Sequence, residues 1–85
     1  MIASIIITNF NYEKYVGRCI RSCLNQSIQE PYEVILVDDK SSDNSIKIAS
    51  EFKNFNNFHV LQNDKNKGVA YSANRGFKYA KGKYV

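Results

Sequence analysis

The chain has 85 residues, 44% of them hydrophobic, with twelve Lys and Arg against eight Asp and Glu for a net charge of +4. That is the make-up of one small globular unit, too apolar for a disordered segment and so short that it buries only roughly 60–65% of its unfolded surface. Two cysteines and one histidine are too few for a disulfide framework or a structural zinc site, and the lysines form no block of five like charges, which speaks against a dedicated nucleic-acid binder.

Residues 2–8 are a β-branched apolar run, hydrophobic on both faces like a central parallel strand, and Asn9-Phe10-Asn11 breaks it. From 13 to about 25 the positions Val16, Cys19, Ile20, Cys23 and Leu24 keep the spacing of a helix with one buried face, which makes the two cysteines small buried hydrophobes and points to a reducing compartment. Pro31 closes that segment. Residues 33–37 are a second strand, stopped at Asp38-Asp39. Ser41-Ser42-Asp43 supplies a cap for a second helix carrying Ile46, Ala49 and Phe52. Residues 58–61 are a third strand. Gly68 opens a third helix with the stripe Val69, Ala73, Gly76, Phe77 and Ala80, and Gly82 is placed to end it. Residues 83–85 read as the start of a fourth strand.

Strand and helix alternate without repeat or linker, so the predicted fold class is α/β, a Rossmann-like parallel sheet with flanking helices. Such sheets bind ligands beyond the carboxyl ends of their strands, here residues 8–11, 38–42 and 62–68. Asp38 and Asp39 stand there as candidate acceptors for a base, a ribose or a metal-bound water, with a helix-cap and turn acid as the lesser alternative. Phe10 offers a ring face to a planar base, or plugs the sheet edge. Gly68 could let backbone N–H groups approach a diphosphate, although neither a Gly-x-Gly-x-x-Gly nor a phosphate-loop motif occurs. His59, alone of its kind, reads as structural, and Asn74 and Arg75 as either a solvated helix face or ligand contacts. No run reaches the ~18 apolar residues of a membrane span, and the start lacks the pattern of a signal peptide.

Ser4-Ile5-Ile6-Ile7-Thr8-Asn9-Phe10-Asn11, Leu24-Asn25-Gln26-Ser27, Val37-Asp38-Asp39-Lys40-Ser41-Ser42-Asp43, Gly68-Val69-Ala70-Tyr71-Ser72-Ala73-Asn74-Arg75-Gly76 and Ala80-Lys81-Gly82-Lys83-Tyr84-Val85 together resemble the start of a family 2 glycosyltransferase. The resemblance covers nearly the whole chain. It implies the N-terminal, nucleotide-binding half of a GT-A fold: a nucleoside-diphosphate sugar, expected to be a UDP-sugar, as donor, inversion at the anomeric centre, and a glycan or lipid-linked acceptor at the cytoplasmic face of a membrane. Carried over by position, Thr8 and Phe10 line the uracil, Asp39 pairs with it, Asp38 is its neighbour, and Asn74 and Gly76 lie near the nucleotide and the packed strand. Arg75 departs from the family's Ala-Arg-Asn order and keeps an open role.

In the family an Asp-x-Asp that holds Mg²⁺ or Mn²⁺ on the diphosphate follows the position of Val85, and an acid acting as base comes later. The 85 residues are therefore expected to be a truncated segment with neither metal ligands nor a catalytic residue, inactive in transfer when alone, and prone to self-association through the first strand's edge. A receiver-like signalling domain or a non-catalytic binding module are the alternatives. The first would need acids after the first strand, where Thr8-Asn9 stand.

Overall fold

The computed structural model describes residues 3–25 and 31–80. Three strands, β1 (Ala3–Asn9), β2 (Tyr32–Asp38) and β3 (Phe58–Gln62), form a parallel sheet in the order β1-β2-β3. The helices are α1 (Glu13–Leu24), α2 (Ser45–Ala49), which continues into a 3-10 turn over Ser50–Phe52, and α3 (Val69–Tyr79). The predicted α/β architecture is thus the observed one. The fourth strand at 83–85, the helix end at Gly82 and most of the stretch before Pro31 lie outside the described residues.

β2 is the central strand, and its apolar residues from Val34 to Val37 are fully buried because both faces are covered. On one face Val34 and Leu36 join Val16, Ile20, Ala49, Phe52 and Phe58 in a core beneath α1 and α2. On the other, α3 crosses β1 and β2, and Gly76 rests directly on Ile6 and Val37. The buried positions of α3 are Ser72 and Gly76, whereas Val69 is 70% and Phe77 49% exposed. Of the stripe expected from hydropathy Gly76 is buried and Ala73 and Ala80 are half-buried, while Val69 and Phe77 are corrected: the helix turns its small residues to the sheet because a close approach leaves no room for large ones. A second correction concerns Cys19, which is exposed; Cys23 is half-buried, and burial, with Cys19 beside it, raises its thiol pKa.

At the amino end of the sheet Ser4 Oγ donates to Glu33 at 2.6 Å, and His59 Nε2 stands 3.6 Å from the same carboxylate while its ring packs on Tyr79. His59 is therefore structural, far along the strands from the loops at their carboxyl ends. None of the described helices is long and apolar enough to cross a membrane.

Candidate functional site

The parallel register sets Asn9 beside Asp38 and Asp38 beside Gln62, so all three strands end level. The ladder runs one residue further: Asp39 N–H donates to the Asn9 carbonyl at 2.9 Å, and Asn63 N–H to the Asp38 carbonyl at 2.8 Å. Successive residues of an extended chain point to opposite sides. Asp38 and Asp39 consequently part company, each into its own set of donors.

Asp38 is 1% exposed and turns into the β2–α2 loop. Its Oδ1 accepts from Asn9 Nδ2 at 2.8 Å and Ser41 Oγ at 2.6 Å, and its Oδ2 from Ser41 N–H at 2.9 Å. Ser41 Oγ also accepts from Asn9 Nδ2 and from Asn11 N–H. Asn11, at φ 57°, then presents its Oδ1 to the N–H groups of Ser42 and Asp43. A short polar residue tolerates this left-handed backbone, and its side chain ties the β1–α1 loop to the β2–α2 loop. Asp43 completes the tie by accepting from Glu13 N–H and Ser45 N–H, the first amides of α1 and α2. Burial pushes the Asp43 carboxyl up, but the donors of Ser45 and Glu13 outweigh it and hold the group below its ordinary value. Ser41→Ala removes one donor and two acceptances at once. It is expected to cost about 1–2 kcal/mol and lower Tm by roughly 4–16 °C in a thermal melt.

Asp39 faces the other way and is 7% exposed. Its Oδ1 accepts from Lys67 N–H at 2.7 Å and from Asn63 Nδ2 at 2.9 Å, and its Oδ2 from Gly68 N–H at 3.0 Å. The Lys67 amide and the Asn63 side chain, joined by the Gly68 amide and opposed by burial, hold its carboxyl below the ordinary value, so it is ionised at neutral pH. Gly68, at φ 91°, allows the turn that delivers two consecutive amides.

Asp39 lines an open cleft of about 260 Å³ together with Thr8, Asn9, Phe10, Tyr12, Gly68, Val69 and Ser72. Phe10 is 42% exposed on its wall. Thr8, Phe10, Asp39 and Gly68 are thus brought together, while Asp38 points away into the loop tie and Asn74 sits on the exposed side of α3, off the cleft wall. Sequence reasoning misses Tyr12 and Ser72, and also Asn63, whose amide supports Asp39 from behind. Only their neighbours in the fold give them a role, and Asn63 stands 24 residues from Asp39 along the chain. Among the described residues no three His, Cys, Asp or Glu side chains could hold a metal ion, and both carboxylates of this edge are engaged by protein donors. The described residues do not fit a Mg²⁺ or Mn²⁺ site.

The sequence model of glycosyl transferase family 2 matches residues 4–85. A Methanococcus voltae protein named dolichyl N-acetyl-alpha-D-glucosaminyl phosphate 3-beta-D-2,3-diacetamido-2,3-dideoxy-beta-D-glucuronosyltransferase is 39% identical over 95% of this chain and 26% of its own. The poly(ribitol-phosphate) beta-glucosyltransferase of Bacillus spizizenii is 38% identical over 100% of this chain and 14% of its own. The crystal structure of S. aureus TarS 1–349 in complex with UDP-GlcNAc superposes with a TM-score of 0.89 at 32% identity, covering 100% of this chain and 26% of that one. A Pyrobaculum calidifontis mannosyltransferase bound to GDP-Man and Mn²⁺, 16% identical, has the same fold at a TM-score of 0.84 over 93% of this chain and 24% of its own. The chain spans about a quarter or less of the length of these relatives. With a family match over nearly its whole length and the fold of solved glycosyltransferases, the chain belongs to glycosyl transferase family 2.

Proposed function

We propose that this chain is the donor-nucleotide cradle of a glycosyltransferase that takes a UDP-sugar and transfers the sugar, with inversion, to a glycan or lipid-linked acceptor. The observation that carries the reading is Asp39: an ionised carboxylate, nearly buried, on the wall of a cleft beside the half-exposed ring of Phe10. Uracil has one ring N–H flanked by two carbonyls, and a fixed carboxylate accepts that N–H. Phe10 supplies the face on which the base stacks, and Thr8 the hydroxyl at the end of β1. The TarS structure in complex with UDP-GlcNAc, 32% identical, supports the choice of a uridine nucleotide.

In this reading the described residues bind and orient the donor; the metal on the diphosphate and the base for the acceptor belong to other parts of the protein. The site of action is proposed to be the cytoplasmic face of a membrane. The flank of β1 turned away from β2, where no strand pairs among the described residues, is the proposed place of self-association.

Calorimetric titration with UDP tests the assignment. UDP is expected to bind in preference to inorganic diphosphate, and Phe10→Ala to weaken UDP by about five- to a hundredfold with Tm unchanged, since a stacked base is worth about 1–3 kcal/mol. A protein that binds diphosphate as well as UDP would refute the role given to the base.

A further inference from the structure

Asn63 is 4% exposed, and its amide orientation is dictated by its partners. Its Nδ2 donates to Asp39 Oδ1 and to Ser72 Oγ, each at 2.9 Å. Its Oδ1 accepts from Arg75 Nη1 at 2.9 Å, and the same Nη1 donates to the Gln62 carbonyl at 2.7 Å. A guanidinium can only donate and a carboxylate only accept, so the amide between them has one allowed orientation. Arg75 thus fixes Asn63 from one side while Asp39 reads it from the other.

The consequence lies in how Asp39 is occupied. Each carboxylate oxygen accepts about two hydrogen bonds. Oδ1 already has two, from Asn63 and Lys67, while Oδ2 has one, from Gly68, among the described residues. The carboxylate on the cleft wall therefore has room for a single further donor. Uracil presents one N–H on its recognition edge. Guanine presents two adjacent donors, which call for both oxygens side by side, and with Oδ1 filled its second donor would find no acceptor on the carboxylate.

We propose that Asn63 and Arg75, neither of them on the cleft wall, set the base specificity of the cleft by filling Asp39 Oδ1 from behind, so that a base with one donor is accepted and a base with two adjacent donors is refused. They are positioning residues acting through Asp39. The inference rests on the nucleotide reading above and adds to it the discrimination between uracil and guanine.

The experiment compares UDP and GDP dissociation constants by calorimetry for the full chain, for Arg75→Ala and for Asn63→Ala, with thermal melts as a check on folding. The unaltered chain is expected to prefer UDP. Arg75→Ala, at a half-exposed position, is expected to fold and to reduce the UDP-over-GDP preference about tenfold, because Asn63 loses the donor that fixes its Oδ1 and, held only through Nδ2 by Asp39 and Ser72, can turn and open one of the two places on Asp39 Oδ1, the other staying with Lys67 N–H. Asn63→Ala, where it folds, is expected to reduce it further. A preference for UDP that persists unchanged in Arg75→Ala, or affinities for both nucleotides that fall by the same factor, would overturn the specificity role and leave the nucleotide reading intact. An unaltered chain that binds GDP as well as UDP would overturn both.

Discussion

Asp39→Ala is expected to lower UDP affinity by on the order of a hundredfold or more and to loosen the β3–α3 loop even without ligand. Three donors, Lys67 N–H, Gly68 N–H and Asn63 Nδ2, converge on this carboxylate. Alanine leaves them without that acceptor, the Asn63 amide in a buried position and the two backbone amides half-buried. Asp39→Asn is no remedy, since the new amide keeps one oxygen but turns an NH2 group toward at least one of the same donors. The pH dependence follows from the direction of the pKa shift. A carboxyl held below its ordinary value in the folded chain stabilises the fold above the unfolded pKa of about 4, and that contribution is lost as pH falls through the lower folded value. Urea unfolding should therefore separate the parent chain from Asp39→Ala clearly at neutral pH and progressively less below about pH 4. Equal UDP affinity in the two proteins, or a stability gap that widens in acid, would contradict this role.

Much of the fold is legible because its signals are local. A β-branched run hydrophobic on both faces, as in β2, has few places to go except the middle of a parallel sheet, and the spacing of Val16, Ile20 and Leu24 determines the buried side of α1. The face of α3 escapes such a reading for a physical reason. Hydropathy gives weight to Val69 and Phe77, but the sheet accepts only small side chains where the helix comes closest: Gly76 belongs to the expected stripe and is buried, whereas Ser72, equally buried, carries no apolar signal. The paired acids show a similar limit. Strand alternation says that Asp38 and Asp39 point to opposite sides; which of them meets the cleft depends on Asn9 and Ser41 on one side and Asn63, Lys67 and Gly68 on the other. Those partners come from a strand end and from loops that only the assembled sheet brings to one edge. The same holds for Arg75, which on the helix alone reads as a solvated charge and in the fold pins Asn63.

Gly76→Ala is expected to destabilise the chain by about 2 kcal/mol, and to reach the cleft through the helix. A Cβ at position 76 would lie 2.6 Å from Ile6 Cγ2, 3.2 Å from Ile6 Cδ1 and 3.3 Å from Val37 Cγ2. Alanine is the better helix former by about 1 kcal/mol, which works in its favour. Against this stands a contact no real pair of carbons tolerates, with a β-branched side chain whose Cγ2 moves only if χ1 leaves its well; overpacking of this kind costs about 1–3 kcal/mol and occasionally more. The relief available is for α3 to lift from β1 and β2. That motion carries Ser72 Oγ away from Asn63 and the Gly68 amide, at the head of the helix, away from Asp39. Gly76→Ala should accordingly lower Tm by roughly 8–16 °C and also weaken UDP at temperatures where the chain is fully folded. Ile6→Ala removes the clashing carbons, so the double variant is expected to be more stable than the sum of the single changes by at least about 1 kcal/mol in urea titrations. Strict additivity, or a Gly76→Ala chain that melts with the parent, would mean that the packing of α3 on β1 does not position the loop that serves Asp39.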